Sequence, residues 1–411
     1  MPQDVDVVIV GAGQAGLATS HELTEAGVEH VVLEQDTVAS AWRRRWDSFC
    51  LVTPNATIRL PGGEYAGDDP DGFLPRDGVV DHLEAYARSF GAPVRSGVQV
   101  ESLEQRDGSL RLGTTAGPIR ARAVVAATGA YQRALRPTWV GSLPGRLSVL
   151  EASGYRNPES LAPGGVLVVG SGQTGCQLAE ELFRAGRRVV LACGRAPWIT
   201  RRIGGRDTVR WMLDIGLMDM SVSALPSPAA RLAANPQATG GGGGHDLHFR
   251  TLAALGVELV GHVVGVDGDT VLTAPDLAES VAFGDARYAD LCAAISAHCV
   301  AHGLPVPDMP APTTFDASGP DQVDLSGITT VILTMGYRPA YRDWIHGADV
   351  VDDLGFPRHA DGASTAVRGL YFVGVHYLRT RKSSLLMGVG EDAALVAAQI
   401  REQVRAGSSV L

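Results

Sequence analysis

Two glycine sets carry the clearest chemical information in this chain: Gly11-x-Gly13-x-x-Gly16 and Gly170-x-Gly172-x-x-Gly175. Each follows a β-branched run, at residues 5–10 and 166–169, and each opens a helical pattern, over 15–26 and 174–185. In that context the first glycine makes the tight turn and the second lets a pyrophosphate approach the backbone. The third allows close packing of helix on strand. The phosphates then rest on the helix N-terminus. Gln14, and Gln173 with Thr174, stand at the helix starts and join the candidate cofactor-binding set. The spacing therefore predicts two dinucleotides in one chain.

The two copies differ where such cofactors are told apart. The strand after the first set, at 31–33, ends in Glu34, placed to accept a hydrogen bond from a ribose 2′-hydroxyl, which suits FAD or NAD. The strand after the second, at 189–191, ends in Ala192-Cys193-Gly194-Arg195, with Arg201 and Arg202 close behind. With no acid there and a cation at hand for a 2′-phosphate, this copy reads as an NADPH site. A solvated strand-end carboxylate at Glu34 and surface cations at Arg195 and Arg201 are the alternatives.

The elements that must position these residues make an α/β protein. At 411 residues the chain has room for two or three domains. The reading is two Rossmann-like dinucleotide-binding domains, the NADPH domain inserted into the FAD domain. The FAD domain takes residues 1–150 and returns at 345–411, and the NADPH domain takes 162–340. Within the latter, about 198–320 carries little Rossmann pattern beyond a short strand at 257–260 and a helix at 285–302, and reads as an insertion that shapes a substrate pocket. Its five glycines 240–244 predict a mobile loop that gates the site.

Composition excludes several classes. A net charge of −10 and a pI near 5.6 leave no footprint for nucleic acid or an anionic membrane. The tight basic run, Arg43-Arg44-Arg45, lies between Trp42 and Trp46 rather than in a tail. Five cysteines without a C-x-x-C pair indicate neither a disulfide framework nor a dithiol reductase. His245-x-x-His248 and His298-x-x-x-His302 lack a third ligand of clear spacing, so no metal is expected. No apolar run is long enough to span a membrane, and the sequence passes from Met1 straight into a core strand. A cytoplasmic protein is expected, with a homodimer as one assembly open to it.

Further motifs carry a family resemblance. A buried strand ends in Thr128-Gly129; a second, at 330–335, ends in Gly336-Tyr337-Arg338-Pro339; and the run 369–374 closes on Gly374. With Ser40-Ala41-Trp42-Arg43 and the two glycine sets, in this order, the chain resembles the two-dinucleotide-binding-domain flavoproteins. More narrowly it is similar to the flavin-containing monooxygenases, including the plant-type indole-pyruvate monooxygenases. The resemblance covers nearly the whole chain except about 200–320. It implies that Trp42 and Arg43 lie by the cofactor, that Thr-Gly strands link the FAD and NADPH domains, and that the last segment covers the flavin. The activity it implies uses NADPH and O₂ to form a flavin C4a-(hydro)peroxide that oxygenates a small organic substrate. The outcome would be N- or S-oxygenation, Baeyer–Villiger insertion or oxidative decarboxylation.

One departure stands out. The family pattern F-x-G-x-x-x-H-x-x-x-[YW] matches residues 143–156 imperfectly: aligned on Tyr155, Glu151 occupies the histidine position. Near NADP⁺ phosphates a carboxylate needs a cation, and Arg146 and Arg156 are nearest in sequence. Glu151 reads equally as a linker residue. Asn55, in Thr53-Pro54-Asn55, stands where many members keep an asparagine beside the flavin; a Pro-Asn turn is the alternative. A flavin reductase with a non-oxygen acceptor and a non-catalytic nucleotide sensor are the competing functional classes.

Overall fold

A computed structural model describes residues 3–106 and 108–408. Its first sheet is built on strands β1 (Gln3–Val10), β2 (His30–Glu34) and β3 (Val94–Ser96), with helices α1 (Gln14–Glu25) and α2 (Arg76–Ser89) between them. An antiparallel pair, β4 (Val100–Arg106) and β5 (Ser109–Thr114), leads into β6 (Ile119–Ala126). The chain then leaves through β7 (Arg133–Ala134) for a second sheet.

That second sheet comprises β8 (Ser148–Glu151), β9 (Gly165–Val169) and β10 (Val189–Ala192), with α3 (Gln173–Arg184) after β9. Helix α4 (Phe249–Leu255) leads to β11 (Glu258–Val260), helix α5 (Leu277–Ala301) follows, and β12 (Ile328–Leu333) completes the sheet. Its order is β8-β12-β9-β10-β11, parallel throughout. The return passes through β13 (Tyr337–Arg338) to β14 (Leu370–Phe372), which joins the first sheet beside β6. The last helix, α6 (Val389–Ser408), packs on α1 and buries Val396 and Ile400.

Strand composition explains the burial. β9, Gly-Val-Leu-Val-Val, is buried at every position, as a parallel strand covered on both faces must be. One apolar cluster runs without a break from Ile9 and Leu17 of the first sheet through Tyr155 and Leu161 to Val166 and Leu182 of the second. No helix among the described residues is long and apolar enough to cross a membrane.

The expected insertion is narrower than the sequence implied. Helix α4 and strand β11 belong to the second sheet's own βα framework, and α5 begins at Leu277, eight residues before the expected start at 285. The glycine run also departs from expectation, because it is pinned. Gly240 is buried, and a side chain there would meet the Leu51 carbonyl at 2.0 Å and the Phe73 ring at 2.6 Å. Gly241 N donates to Thr239 Oγ1, while Arg202 donates to the carbonyls of Gly243 and Gly244. Gly242, Gly243 and Gly244 all have positive φ, so glycine serves a turn shape here and not looseness.

Candidate functional site

Strand register gathers the scattered motifs. Val10, Leu33, Ala126 and Phe372 are level across the first sheet. The residues that follow them, Gly11, Glu34, Thr128-Gly129 and Gly374, therefore collect along one carboxyl edge, where open α/β sheets hold ligands. The second sheet repeats this, with Glu151, Leu333, Val169, Ala192 and Val260 level.

Both glycine turns fit a dinucleotide. Gly11 (φ +106°) and Gly170 (φ +105°) hold left-handed turns, and a Cβ on Gly16 or Gly175 would stand 1.9 or 1.8 Å from the carbonyl of the turn glycine. Gly13, by contrast, has nothing within 4 Å of where its side chain would lie, and Gly172 only the Ala234 methyl at 3.8 Å. The middle glycine is thus the open one at each turn, on the side a pyrophosphate needs. Neither α1 nor α3 has a side chain capping its first turn, which leaves their leading amides for an anion.

Around the first turn, Glu34 is buried and accepts from Ala12 N at 2.9 Å, Asp36 N at 3.0 Å and Ser40 Oγ at 3.1 Å. An ionised carboxylate has four acceptor sites, so one stays available for a ribose hydroxyl. Trp42 Nε1 donates to Gln14 Oε1 at 2.9 Å and Gln14 Nε2 donates to the Ser384 carbonyl at 3.2 Å, tying the Trp42 segment and the return segment to the start of α1. Gly374 (φ +79°) crosses so close to α1 that a side chain would stand 2.5 Å from the Ala15 methyl. Arg43 is not drawn into this network: its half-exposed guanidinium pairs with Glu84 of α2 at 2.6 Å.

At the second turn, Ser171 Oγ accepts from Gly194 N at 2.9 Å and donates to Gly194 O at 3.1 Å, fixing the end of β10 without a carboxylate. Arg195 is well exposed there, with Glu279 at 3.6 Å. Gln173 and Thr174 begin α3, half-buried beside the open Gly172. The residues present fit FAD at the first edge and NADPH at the second.

Three expectations are corrected. Arg201 is almost wholly buried, donating to Asp207 Oδ1 at 2.5 Å and to the Val52 carbonyl at 2.9 Å, with its guanidinium over the Phe73 ring. It fastens the excursion after β10 to the 50–75 loop and is not a phosphate ligand. Asn55 is likewise buried; Leu74 N donates to its Oδ1 at 2.6 Å and its Nδ2 donates to the Asp69 carbonyl at 2.9 Å, so it clips a loop shut. Glu151 does lie on the carboxyl edge, but its cation is Arg136 at 3.4 Å. Arg146 is engaged by Asp269, and Arg156 by the carbonyls of Arg43 and Arg45.

Between the two edges the crossing strands β7 and β13 pair antiparallel, just after Gly129 (φ +76°) and Gly336 (φ +94°). Here the structure brings Tyr337, a candidate from the sequence, together with Tyr131 and His376, which the sequence reading did not select. Tyr131 stands edge-on to His376 at 4.7 Å and to Tyr337 at 5.6 Å between ring centroids, with the Arg45 guanidinium 5.5 Å from its own centroid. Burial pushes His376 down to about 4, so its ring is neutral, and Ser384 Oγ lies 3.0 Å from its Nδ1. Tyr377 beside His376 has φ +48°, a strained value for a bulky residue. A signal was available: Tyr131, Tyr337 and His376 each follow a strand-end glycine by one or two residues.

Among the described residues no His/Cys/Asp/Glu group could hold a metal. Cys176 and Cys193 are fully buried, and burial raises both thiols.

Comparison with known proteins agrees with this geometry. The sequence model of the pyridine nucleotide-disulphide oxidoreductase family matches residues 8–210. An uncharacterized CzcO-like oxidoreductase of Geobacillus kaustophilus is 28% identical over 96% of this chain and 97% of its own. The indole-3-pyruvate monooxygenase YUCCA1 of Oryza sativa is 34% identical over 44% of this chain and 46% of its own. Among solved structures, a flavin-containing monooxygenase from Stenotrophomonas maltophilia superimposes with a TM-score of 0.68 at 20% identity, covering 97% of this chain and 99% of that one. The chain shares the fold of the two-dinucleotide-binding-domain flavoproteins and is similar to flavin-containing monooxygenases and to oxidoreductases.

Proposed function

We propose that the chain couples NADPH oxidation to oxygenation of a small organic substrate, an amine, a sulfide or a carbonyl compound, in the crevice between the two carboxyl edges. The observation that supports this reading is that each sheet carries a dinucleotide turn on its carboxyl edge and that the paired strands β7 and β13, which link the two sheets, bring Tyr131, Tyr337 and His376 together. Bound FAD supplies hydride acceptance and activation of O₂. The chain's own part is to hold and to shield. Glu34 and the start of α1 orient one cofactor, and Arg195 and the start of α3 the other. The Trp42–Gln14–Ser384 link keeps the return segment closed over the first turn. The aromatic wall displaces water, and neutral His376 adds a hydrogen-bonding group without a charge.

A rice relative is named as an indole-3-pyruvate monooxygenase, which supports counting 2-oxo acids among the candidate substrates. The second reading, a reductase with a non-oxygen acceptor, draws on Glu151 in the family's histidine position. Reduction of disulfides through a cysteine pair of this chain is disfavoured, because neither glycine turn holds a cysteine on its open side and Cys176, Cys193 and Cys299 are buried. The test is oxygen uptake by the FAD-loaded protein during NADPH oxidation, with and without thioanisole, benzylamine or a cyclic ketone. Substrate-stimulated uptake with an oxygenated product is expected. NADPH oxidation that needs a quinone and ignores O₂ would hand the function to the reductase.

A further inference from the structure

The basic run Arg43-Arg44-Arg45 is neutralised unevenly. Arg43 pairs with Glu84 at 2.6 Å and Arg44 with Asp36 at 2.8 Å, both on the outer surface. Arg45 turns the other way, half-buried, its guanidinium 5.5 Å from the ring centroids of both Phe49 and Tyr131. Among the described residues it has no carboxylate partner. The nearest acid in sequence, Asp47, is taken by Arg76 at 2.5 Å, by Asn157 at 2.6 Å and by Arg156 at 3.7 Å. Arg76 and Arg156 also donate to the backbone carbonyl of Arg45, so its neighbouring cations are held by the main chain and by Asp47.

A guanidinium flanked by two rings is held in place while its N–H fork stays unused, and that fork matches a carboxylate. The partner on the crevice side, Tyr131, is 50% exposed, which is high for a ring in contact with His376 and Tyr337. We propose that Arg45 is the specificity-determining residue for an organic carboxylate, so that the substrate of this enzyme is a small organic acid whose apolar part lies along the Tyr131 wall. This rests on the crevice being the oxygenation site proposed above. The same fork would suit a cofactor phosphate, so the experiment separates the two sources.

The FAD-loaded protein is titrated calorimetrically with (phenylthio)acetate, with its methyl ester and with NADP⁺, in wild type, Arg45→Met and Arg45→Lys. Met keeps the stem between the rings and removes the charge. Wild type should bind the acid more tightly than the ester, and Arg45→Met should weaken the acid by roughly 10- to 100-fold, the range of a lost charge-assisted pair, with ester and NADP⁺ unchanged. Arg45→Lys should keep part of the preference. Equal binding of acid and ester by wild type, or no binding of either, overturns the proposal, and so does an Arg45→Met protein that loses NADP⁺ and not the acid. If Arg45→Met does not fold, the acid-against-ester comparison in wild type and the Arg45→Lys titration still decide. Acid selectivity in a protein that NADPH does not reduce would leave the anion site standing and remove the functional reading instead.

Discussion

In the proposed function, charge at two strand ends divides the cofactors. Glu34 closes β2 as a buried acceptor, whereas β10 ends on a serine-fixed glycine and the exposed Arg195. Removing an exposed cation that meets a 2′-phosphate should raise the NADPH Michaelis constant by about tenfold and leave that for NADH nearly unchanged. Steady-state kinetics of Arg195→Ala with both cofactors measures this; equal changes would free Arg195 of that role. Glu34 and Arg195 were legible in the sequence because register from a glycine turn fixes their place. Arg201 and Asn55 were not. The partners that bury them, Asp207 and Val52 for Arg201 and the backbone of Asp69 and Leu74 for Asn55, are set by loop packing that no spacing encodes.

The glycine run shows the same limit for an element. Five glycines signal backbone freedom, but sequence cannot tell freedom used for motion from freedom used for close approach. Here approach decides, and two substitutions separate its components. Gly240→Ala sets a methyl 2.0 Å from the Leu51 carbonyl and should cost about 3 kcal/mol by overpacking. Gly243→Ala meets nothing within 4 Å and bears only the strain of φ +84°, about 1 kcal/mol. Denaturant midpoints of the two variants check the order; equal, small losses would return the loop to the mobile class. The parallel strands were readable from β-branched runs, and α5 in part. Its first turns were missed because residues 277–284 include Gly284, packed against Trp198, a tertiary reason for a glycine inside a helix.

At the scale of the molecule, the two sheets are held as one body. The apolar cluster spans both, and Lys382 of the return segment pairs at 2.5 Å with Asp219 of the excursion and with Glu391 of α6. Backbone bonds from Val222 N to the Arg379 carbonyl and from Arg381 N to the Met220 carbonyl run alongside. Arg231 of the excursion adds a pair with Asp352 at 3.4 Å on the far side. With so much shared, both halves should unfold in a single transition. Acid should weaken that transition from both sides. Burial holds His248, in the second half, and His376, in the first, neutral down to about 4. In the unfolded chain both protonate near 6.5, so between about pH 4 and 6.5 the unfolded state carries more protons and stability rises with pH. Each should remove about 1–2 kcal/mol between pH 7.5 and pH 5. Calorimetry of the apoprotein should show one peak at both pH values, shifted down in acid, and a smaller shift in His376→Gln. Two separate peaks at pH 7.5 would break the single body. An unchanged acid shift in His376→Gln would mean that the imidazole beside Tyr131 is already charged in the folded crevice.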